Sequence, residues 1–190
     1  HLSQLKFLML SSNQLNGIIP EEIGNLKHLK ILSLFSNQLQ GTLPKAIGSI
    51  KPLKHLALSF NQLQGSIPAE WQNLRKLHSL SLSYNALRGS VPPGLATLPE
   101  LKYLELGNNK LADPLPPRIA QMKSLKTLDL SRNRFSSLPD LSGLQMEFLE
   151  IHHNALTFAD LDSAMIEEET LHLFTYRSQE QVPLLSDTTG

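Results

Sequence analysis

The sequence predicts a repeat solenoid, an α/β fold in which one short unit is stacked many times along one axis. Two observations support this prediction. Asparagines recur at intervals of 24 residues, with a last interval of 21, and leucines occupy the same positions around each of them. The seven asparagines are Asn13, Asn37, Asn61, Asn85, Asn109, Asn133 and Asn154. A fixed period of this size is typical of stacked units that share one continuous core.

Each repeat opens with a leucine pattern that predicts a short β-strand. In the frame L-x-x-L-x-L-x-x-N-x-L, two leucines flank one other residue, as Leu32 and Leu34 flank Ser33. Alternate residues of a strand point to opposite faces, so the leucines face one way and the residue between them faces the other. Stacked repeats therefore form a parallel sheet backed by a leucine core.

The second part of each repeat predicts a turn and an irregular return. The asparagine amide can donate and accept hydrogen bonds, which suits turn backbone groups that lie away from water. The glycine four residues later, such as Gly41, suits a positive φ. The proline that follows, such as Pro44, cannot continue a regular sheet.

This frame resembles the leucine-rich repeat family, in the 24-residue subclass best known from plant receptor ectodomains. The resemblance covers about residues 1–156 and implies a right-handed horseshoe with a parallel concave β-sheet and an irregular convex side. It also implies that ligands contact the concave sheet. Trp71 takes the position held by Ile23 and Ile47, so we expect it to pack in the core.

The predicted domain organisation is a seven-repeat array over 1–156, a C-terminal cap over 157–176 and a linker or extended tail over 177–190. Thr157 and Asp160 form the pattern of a capping box, which predicts a helix through about Glu169. We expect its buried face to carry Phe158, Leu161 and Met165. The L-x-L pattern at 171–173 then predicts a capping strand.

Departures from the repeat predict changes along the array. Asp113 replaces the usual glycine and the sixth repeat is shortened, so repeats five to seven are expected to curve differently. His1 falls inside a repeat, and no N-terminal cap is recognisable, which suggests a fragment of a larger protein.

Composition favours one setting over another. Of 190 residues 41% are hydrophobic, but no apolar run approaches the ~18 residues of a membrane span. The chain has no cysteine and no N-x-[S/T] sequon, whereas extracellular plant repeats usually carry both. We therefore expect a bacterial member of the family, exposed on the cell surface or secreted; a cytoplasmic location remains open.

Charge is balanced overall but divided between the halves. Residues 1–95 hold nine Lys/Arg and three Asp/Glu, so 9 − 3 = +6, and residues 96–190 hold eight and fourteen, so 8 − 14 = −6. The basic residues of the first half fall mostly outside the strands. Nucleic-acid binding would require them on one face together with aromatic residues, and it is not expected.

The residues that interleave the leucines form the predicted binding face, which has two zones. The first zone is neutral and aromatic, and rigid rings suit peptide or glycan contact. The second places acidic residues on adjacent strands, with basic residues nearby. The candidate ligand-binding residues are Phe35, His55, Phe60, Tyr84, Tyr103, Glu105, Asp129, Arg132, Glu150 and His152.

Simpler explanations stand beside this one. A few exposed aromatic residues occur on any protein, and the acidic zone is also explained as a solvated ion-pair network. Metal binding by Asp129, Glu150, His152 and His172 is disfavoured because a sheet spreads these ligands apart. No metal or cofactor is therefore predicted.

The predicted function is non-catalytic recognition of a protein or peptide ligand, within a larger surface or secreted protein. No nucleophile elbow, zinc-protease motif or phosphate loop is present, and a flat sheet offers no oxyanion hole. The alternatives are a glycan-binding accessory module and a spacer between domains.

Overall fold

A computed structural model of the protein describes residues 2–164, and it shows the expected parallel solenoid. Its concave face is a seven-stranded parallel sheet in which each strand pairs with the corresponding strand of the next repeat. The strands are β1 (Phe7–Met9), β3 (Ile31–Ser33), β5 (His55–Ala57), β7 (Ser79–Ser81), β9 (Tyr103–Glu105), β11 (Thr127–Asp129) and β12 (Phe148–Glu150).

The leucines behind this sheet form one continuous core, as the period predicted. The central leucines of successive strands are paired across the sheet, Leu32 with Leu56 and Leu80 with Leu104, and all four are fully buried. Burying a leucine side chain stabilises a fold by about 1.5–3 kcal/mol before entropy is subtracted. The outward residues of the same strands remain partly or largely exposed.

A second parallel sheet follows the asparagine turns, and the sequence analysis did not predict it. It runs through the first five repeats only. Its strands are β2 (Asn16–Ile18), β4 (Gln38–Thr42), β6 (Gln62–Gly65), β8 (Ala86–Gly89) and β10 (Lys110–Leu111). The repeat glycines lie in or beside these strands at positive φ, for example Gly41 at 80°. Asp113 takes the equivalent position at φ 72°, and only an isolated bridge from Ala112 to Arg134 follows.

The convex side carries short 3-10 helices, most of them starting directly after a proline. Proline fixes φ and lacks an N–H, so it suits the residue before a helical turn. The helices are Glu21–Asn25, Lys45–Ser49, Ala69–Asn73, Leu95–Thr97 and Pro117–Gln121. Trp71 lies fully buried on the third of them, as predicted, and its Nε1 donates to the Pro44 carbonyl at 3.0 Å.

The asparagines form a ladder that joins each repeat to its neighbours. Asn85 is representative: its Nδ2 donates to Leu82 O at 3.0 Å within its own repeat and to Leu58 O at 3.1 Å in the preceding one. Its Oδ1 accepts from Leu63 N at 3.0 Å. A longer bond joins Nδ2 to Ser83 O at 3.4 Å. One side chain thereby bonds four backbone groups, and two of them belong to another repeat.

The array is followed by a helix, α1 (Phe158–Ser163), which begins with the predicted capping box at Thr157. Thr157 N donates to Asp160 Oδ2 at 2.7 Å. Leu161 packs against the core, but the expectation for Phe158 is wrong: it is 63% exposed, and Leu156 is buried just before the helix instead. The helix therefore turns its Leu161 side towards the core, and Phe158, in its first turn, lies on the solvent side.

Other C-terminal predictions fall outside the described residues. These are the helix end near Glu169, the role of Met165, the strand at 171–173 with His172, and the tail. Within the described chain, no helix is long and apolar enough to cross a membrane.

Candidate ligand-binding face

The outward residues of the concave sheet stand in columns, one residue per repeat. In the first column His55 pairs with Ser79 and Ser79 with Tyr103. In the second column Glu105 pairs with Asp129 and Asp129 with Glu150. The predicted register is confirmed at every strand.

A further column just before the ladder asparagines adopts left-handed backbone in all seven repeats. The residues are Ser12, Ser36, Phe60, Tyr84, Asn108, Arg132 and His153, with φ between 51° and 57°. Left-handed backbone costs an ordinary residue about 1–2 kcal/mol, and asparagine or glycine relieves it best. The fold imposes this conformation whatever the side chain, and at Phe60 and Tyr84 the residue that adopts it is a bulky aromatic.

Three aromatic side chains form a continuous stack across neighbouring repeats. Phe60 stacks on Tyr84 with ring centroids 4.1 Å apart and an interplanar angle of 14°, and Phe35 meets Phe60 edge-on at 5.3 Å. Their exposures are 37%, 45% and 48% for Phe35, Phe60 and Tyr84. The three rings contact one another and together form an exposed apolar surface.

The structure joins the two predicted zones into one depression of about 290 Å³, called the concave groove below. The aromatic stack lines one side of it, and Glu105, Asp129 and Glu150 line the other. Serines of the central repeats, Thr127 and Phe148 complete the lining. The sequence analysis placed these residues in the correct columns but did not recognise that they share a groove.

Asp129 is the most firmly held of the three carboxylates. Its Oδ1 accepts from the backbone N–H of Ser131 at 2.9 Å and from the Ser131 hydroxyl at 2.7 Å. Its carboxylate also lies over Gly107, where any β-carbon would overlap it. Gly107 therefore creates the space that Asp129 fills, a role that the sequence analysis missed.

Glu150 is the acidic residue of the groove whose pKa is shifted. Partial burial and the neighbouring charge of Asp129 raise the pKa of the Glu150 carboxyl, while His152 and Arg132 oppose the rise. His152 Nδ1 lies 3.2 Å from Glu150 Oε1, without the alignment of a hydrogen bond. The groove thus holds negative charge that its own residues only partly neutralise.

Arg132 lies at the edge of this acidic region. It lines an adjacent depression of about 330 Å³ together with Arg134 and His153. The His153 ring meets the His152 ring edge-on at 5.0 Å. Arg132 and His152 do not line the concave groove itself, but both lie close enough to Glu150 to act on its charge.

Two candidate residues lie apart from the groove. His55 and Tyr103 stand in the first column, at the opposite ends of the strands from the aromatic stack. The His55 ring lies 5.9 Å from the His78 ring. Partial burial, His78 and Lys54 lower the pKa of His55. These two residues border a different, basic region.

The described residues do not gather three or more histidines, aspartates or glutamates around a point that could hold a metal ion. The fourth residue weighed for such a site, His172, lies outside them. The geometry of the concave groove instead offers an apolar stack beside fixed negative charge.

Family comparisons agree with the repeat pattern. Models described as leucine rich repeats match residues 29–87, 51–111 and 4–26, and a two-copy leucine-rich repeat model matches 99–143. Together they span most of the chain. A comparison with curated protein sequences finds no significant match.

Solved structures with the same fold include plant receptor ectodomains and a plant ice-binding protein. The ectodomain of the Arabidopsis receptor kinase HAESA, bound to an extended IDA peptide hormone, superposes with a TM-score of 0.80 at 34% identity, covering 82% of this chain and 27% of that one. The PEPR1–AtPEP1 complex gives 0.69 at 34% identity, covering 81% and 25%. The BIR2 ectodomain from Arabidopsis thaliana gives 0.63 at 30% identity, covering 72% and 70%.

The chain spans less than a third of several of these relatives. It covers 29% of a TDR receptor chain and 28% of the HAESA chain in complex with IDA and the co-receptor SERK1. The similarity to those proteins therefore covers one stretch of their length only.

Proposed function

This chain belongs to the leucine-rich repeat family, and from that premise we propose that its concave groove binds an extended peptide segment, free or part of a protein. The ligand has a lysine or arginine next to an apolar or aromatic residue. One observation carries the proposal: the exposed aromatic stack and three carboxylates line the same depression. The role is recognition without catalysis.

The chemistry of the groove explains this choice of ligand. Rigid aromatic rings lose little conformational entropy on binding and offer a large apolar area. Carboxylates attract a cationic side chain and fix its register along the strands. A cation beside the exposed rings gains a further attraction from their π-faces.

The comparisons support the class of ligand. Among the structural relatives, HAESA is described in complex with the peptide hormone IDA, and RGFR1 is described as a plant peptide hormone receptor in complex with RGF2. Because those relatives are receptor ectodomains, we place this array outside the cell, as part of a larger protein. The bacterial source suggested by composition stays a prediction, as does the division into array, cap and tail.

The direct test is binding of the protein to a peptide array at low and physiological ionic strength, followed by affinities for the best peptides. We expect the bound peptides to be enriched in lysine or arginine beside apolar residues, with weaker binding at higher salt. The substitution Glu105→Gln should lower affinity about tenfold, because a charge-assisted contact contributes roughly 1.5 kcal/mol. Glu105 makes no described side-chain hydrogen bond, so the fold should be unaffected.

Controls separate the groove from net charge. Glu22→Gln removes one exposed carboxylate from the convex side and should leave affinity unchanged.

Lowering the pH should weaken binding, because Glu150, with its raised pKa, is protonated before an ordinary glutamate would be. A neutral glycan bound in the concave groove would instead bind independently of salt, and its binding would be lost in Tyr84→Ala. Equal effects of Glu105→Gln and Glu22→Gln would refute the groove as the peptide site.

A further inference from the structure

The basic residues of the array converge on one edge of the concave sheet, a feature not expected from the sequence. Five equivalent turns, at 26–30, 50–54, 74–78, 98–102 and 122–126, lead into successive concave strands. They contain nine Lys/Arg and one acidic residue, so 9 − 1 = +8. These five turns are called the basic edge below.

Backbone hydrogen bonds place one row of this edge in strict register. Lys30 N donates to Lys6 O, Lys54 N to Lys30 O, and His78 N to Lys54 O, at 2.7–2.8 Å. The pattern continues through Lys102 and Lys126 at 2.8–2.9 Å. Neighbouring strands of a regular sheet lie ~4.8 Å apart, so the six residues span roughly 24 Å in a line.

A second row runs beside the first. Lys27, Lys51, Arg75 and Lys123 each stand three residues before the first row, and each backbone N–H bonds to the residue two positions earlier at 2.9–3.1 Å. The four residues thus occupy the same turn position in their repeats. All four are exposed.

Most of this charge is not neutralised by the described residues. Glu100 approaches His78 at 3.4 Å in the middle of the edge, and Glu147 approaches Lys126 at 3.6 Å at its C-terminal end. Lys30, Lys54 and Lys102 make no ion pair among residues 2–164. Isolated surface cations at this density repel one another, so an anion along the edge would be bound favourably.

We propose that the basic edge is a docking surface for a linear acidic polysaccharide, lying across the repeats between the two rows of cations. A polyuronate carries a carboxylate on each sugar ring, and its ring repeat is of the same order as the strand spacing. Its carboxylates meet a cation of both rows at three turns, Lys27 with Lys30, Lys51 with Lys54 and Lys123 with Lys126, and a cation of one row at the other two. The basic edge lies at the N-terminal ends of the concave strands and the aromatic stack lies beyond their C-terminal ends. The basic edge therefore binds its ligand independently of the peptide groove.

The shape and composition of the edge favour this polymer over nucleic acid. Proteins that bind single strands stack the bases on aromatic side chains, and the five turns contain no Phe, Trp or Tyr. Duplex DNA carries a denser charge, one per ~1.7 Å of axis, and its phosphates wind around a cylinder. Rows of cations in register from one repeat to the next match an extended chain with regularly spaced charge.

The test compares two triple variants in binding to polygalacturonate. Lys30→Gln, Lys54→Gln and Lys102→Gln together remove three charges from the basic edge. Lys45→Gln, Arg88→Gln and Lys110→Gln remove three exposed charges elsewhere. We expect the edge variant to lose about tenfold or more in affinity at low ionic strength, and the control variant to bind like the unmodified protein. Binding should weaken towards about 0.15 M salt.

Other outcomes would overturn the proposal. Equal losses in the two variants would mean that net charge alone is responsible. Binding of a DNA oligonucleotide or of phosphatidylserine vesicles as tightly as polygalacturonate would contradict the polysaccharide assignment. The proposal would also be refuted if the unmodified protein did not bind polygalacturonate at low ionic strength while both variants melted at the same temperature as the unmodified protein.

Discussion

At the residue scale, the residue with left-handed backbone before each ladder asparagine, called the left-handed rung below, has the largest consequences for binding. It places Phe60, Tyr84 and Arg132 on the rim of the concave face at a conformational cost that the repeat cannot avoid. The sequence could not reveal this rung, because its occupants are serine, phenylalanine, tyrosine, asparagine, arginine and histidine. Only Asn108 carries the side chain usually associated with positive φ.

The rung makes a prediction for Arg132→Asn. We expect the free energy of unfolding to rise by about 1 kcal/mol, because asparagine adopts left-handed backbone more readily than arginine. Binding of a basic peptide should also tighten, since a positive charge leaves the border of the groove. Denaturant unfolding and a binding titration would measure the two effects separately.

Arg134→Asn is the matched control for this prediction. Arg134 is exposed, carries the same charge and lies two residues away, but its φ is not positive. It should give no gain in stability. A gain of equal size in both variants would show that lost charge, and not backbone conformation, is responsible.

At the element scale, the asparagine ladder shows how far a sequence pattern can be interpreted. Its period predicted the strands, their register and the role of the amide, because one hydrogen-bonding geometry recurs in every repeat. The second sheet was missed because its strands, such as Gln38–Thr42, contain a glycine at positive φ and end near a proline. Those residues indicate a turn when the chain is considered one repeat at a time. Pairing with the equivalent segments of neighbouring repeats makes them strands.

The ladder predicts a large effect for Asn85→Ala. The substitution leaves Leu63 N without a partner, and an unpaired buried group costs about 1–3 kcal/mol. It also removes one of the two amide bonds at the carbonyls of Leu58 and Leu82, which keep those from Asn61 and Asn109. We expect a loss of about 3 kcal/mol in the free energy of unfolding, measured with urea. Asn13→Ala is the control, because Asn13 is exposed and bonds only within its own repeat. Equal losses would show that the inter-repeat bonds are unimportant.

At the scale of the whole molecule, the array is a solenoid whose interior repeats are covered by neighbours on both sides. Leu80 in the centre is fully buried, whereas the equivalent Leu8 in the first repeat is only partly buried. The apolar residues around it, such as Met9 at 68% and Ile18 at 68%, are exposed. The stability of such an array is the sum of the repeats and of the interfaces between neighbours.

The position of a leucine along the array should therefore determine how much its replacement by alanine lowers the free energy of unfolding. Leu80→Ala should destabilise the protein by about 3–5 kcal/mol, in the range of buried leucine truncations, and Leu8→Ala by less than half of that. Urea unfolding of both variants would measure the difference. Similar costs would mean that Leu8 is buried by a contact that the array itself does not provide.

The concave groove and the basic edge are also properties of the whole molecule. The sequence assigned Glu105, Asp129 and Glu150 to one column and the aromatic residues to others, but it could not show how side chains lean across neighbouring repeats. The rows of lysines were visible as isolated residues outside the strands. Their alignment depends on the stacking of the turns, which the period of 24 implies once the fold is known.

The left-handed rung separates what the scaffold requires from what the ligand requires. Its backbone angle is the same whether serine, tyrosine or arginine occupies it, within a spread of 51–57°. Single substitutions at these positions can therefore alter specificity while the core and the asparagine ladder remain intact. An array of this kind can acquire new ligands by small mutational steps, each affecting one rung of an otherwise inherited framework.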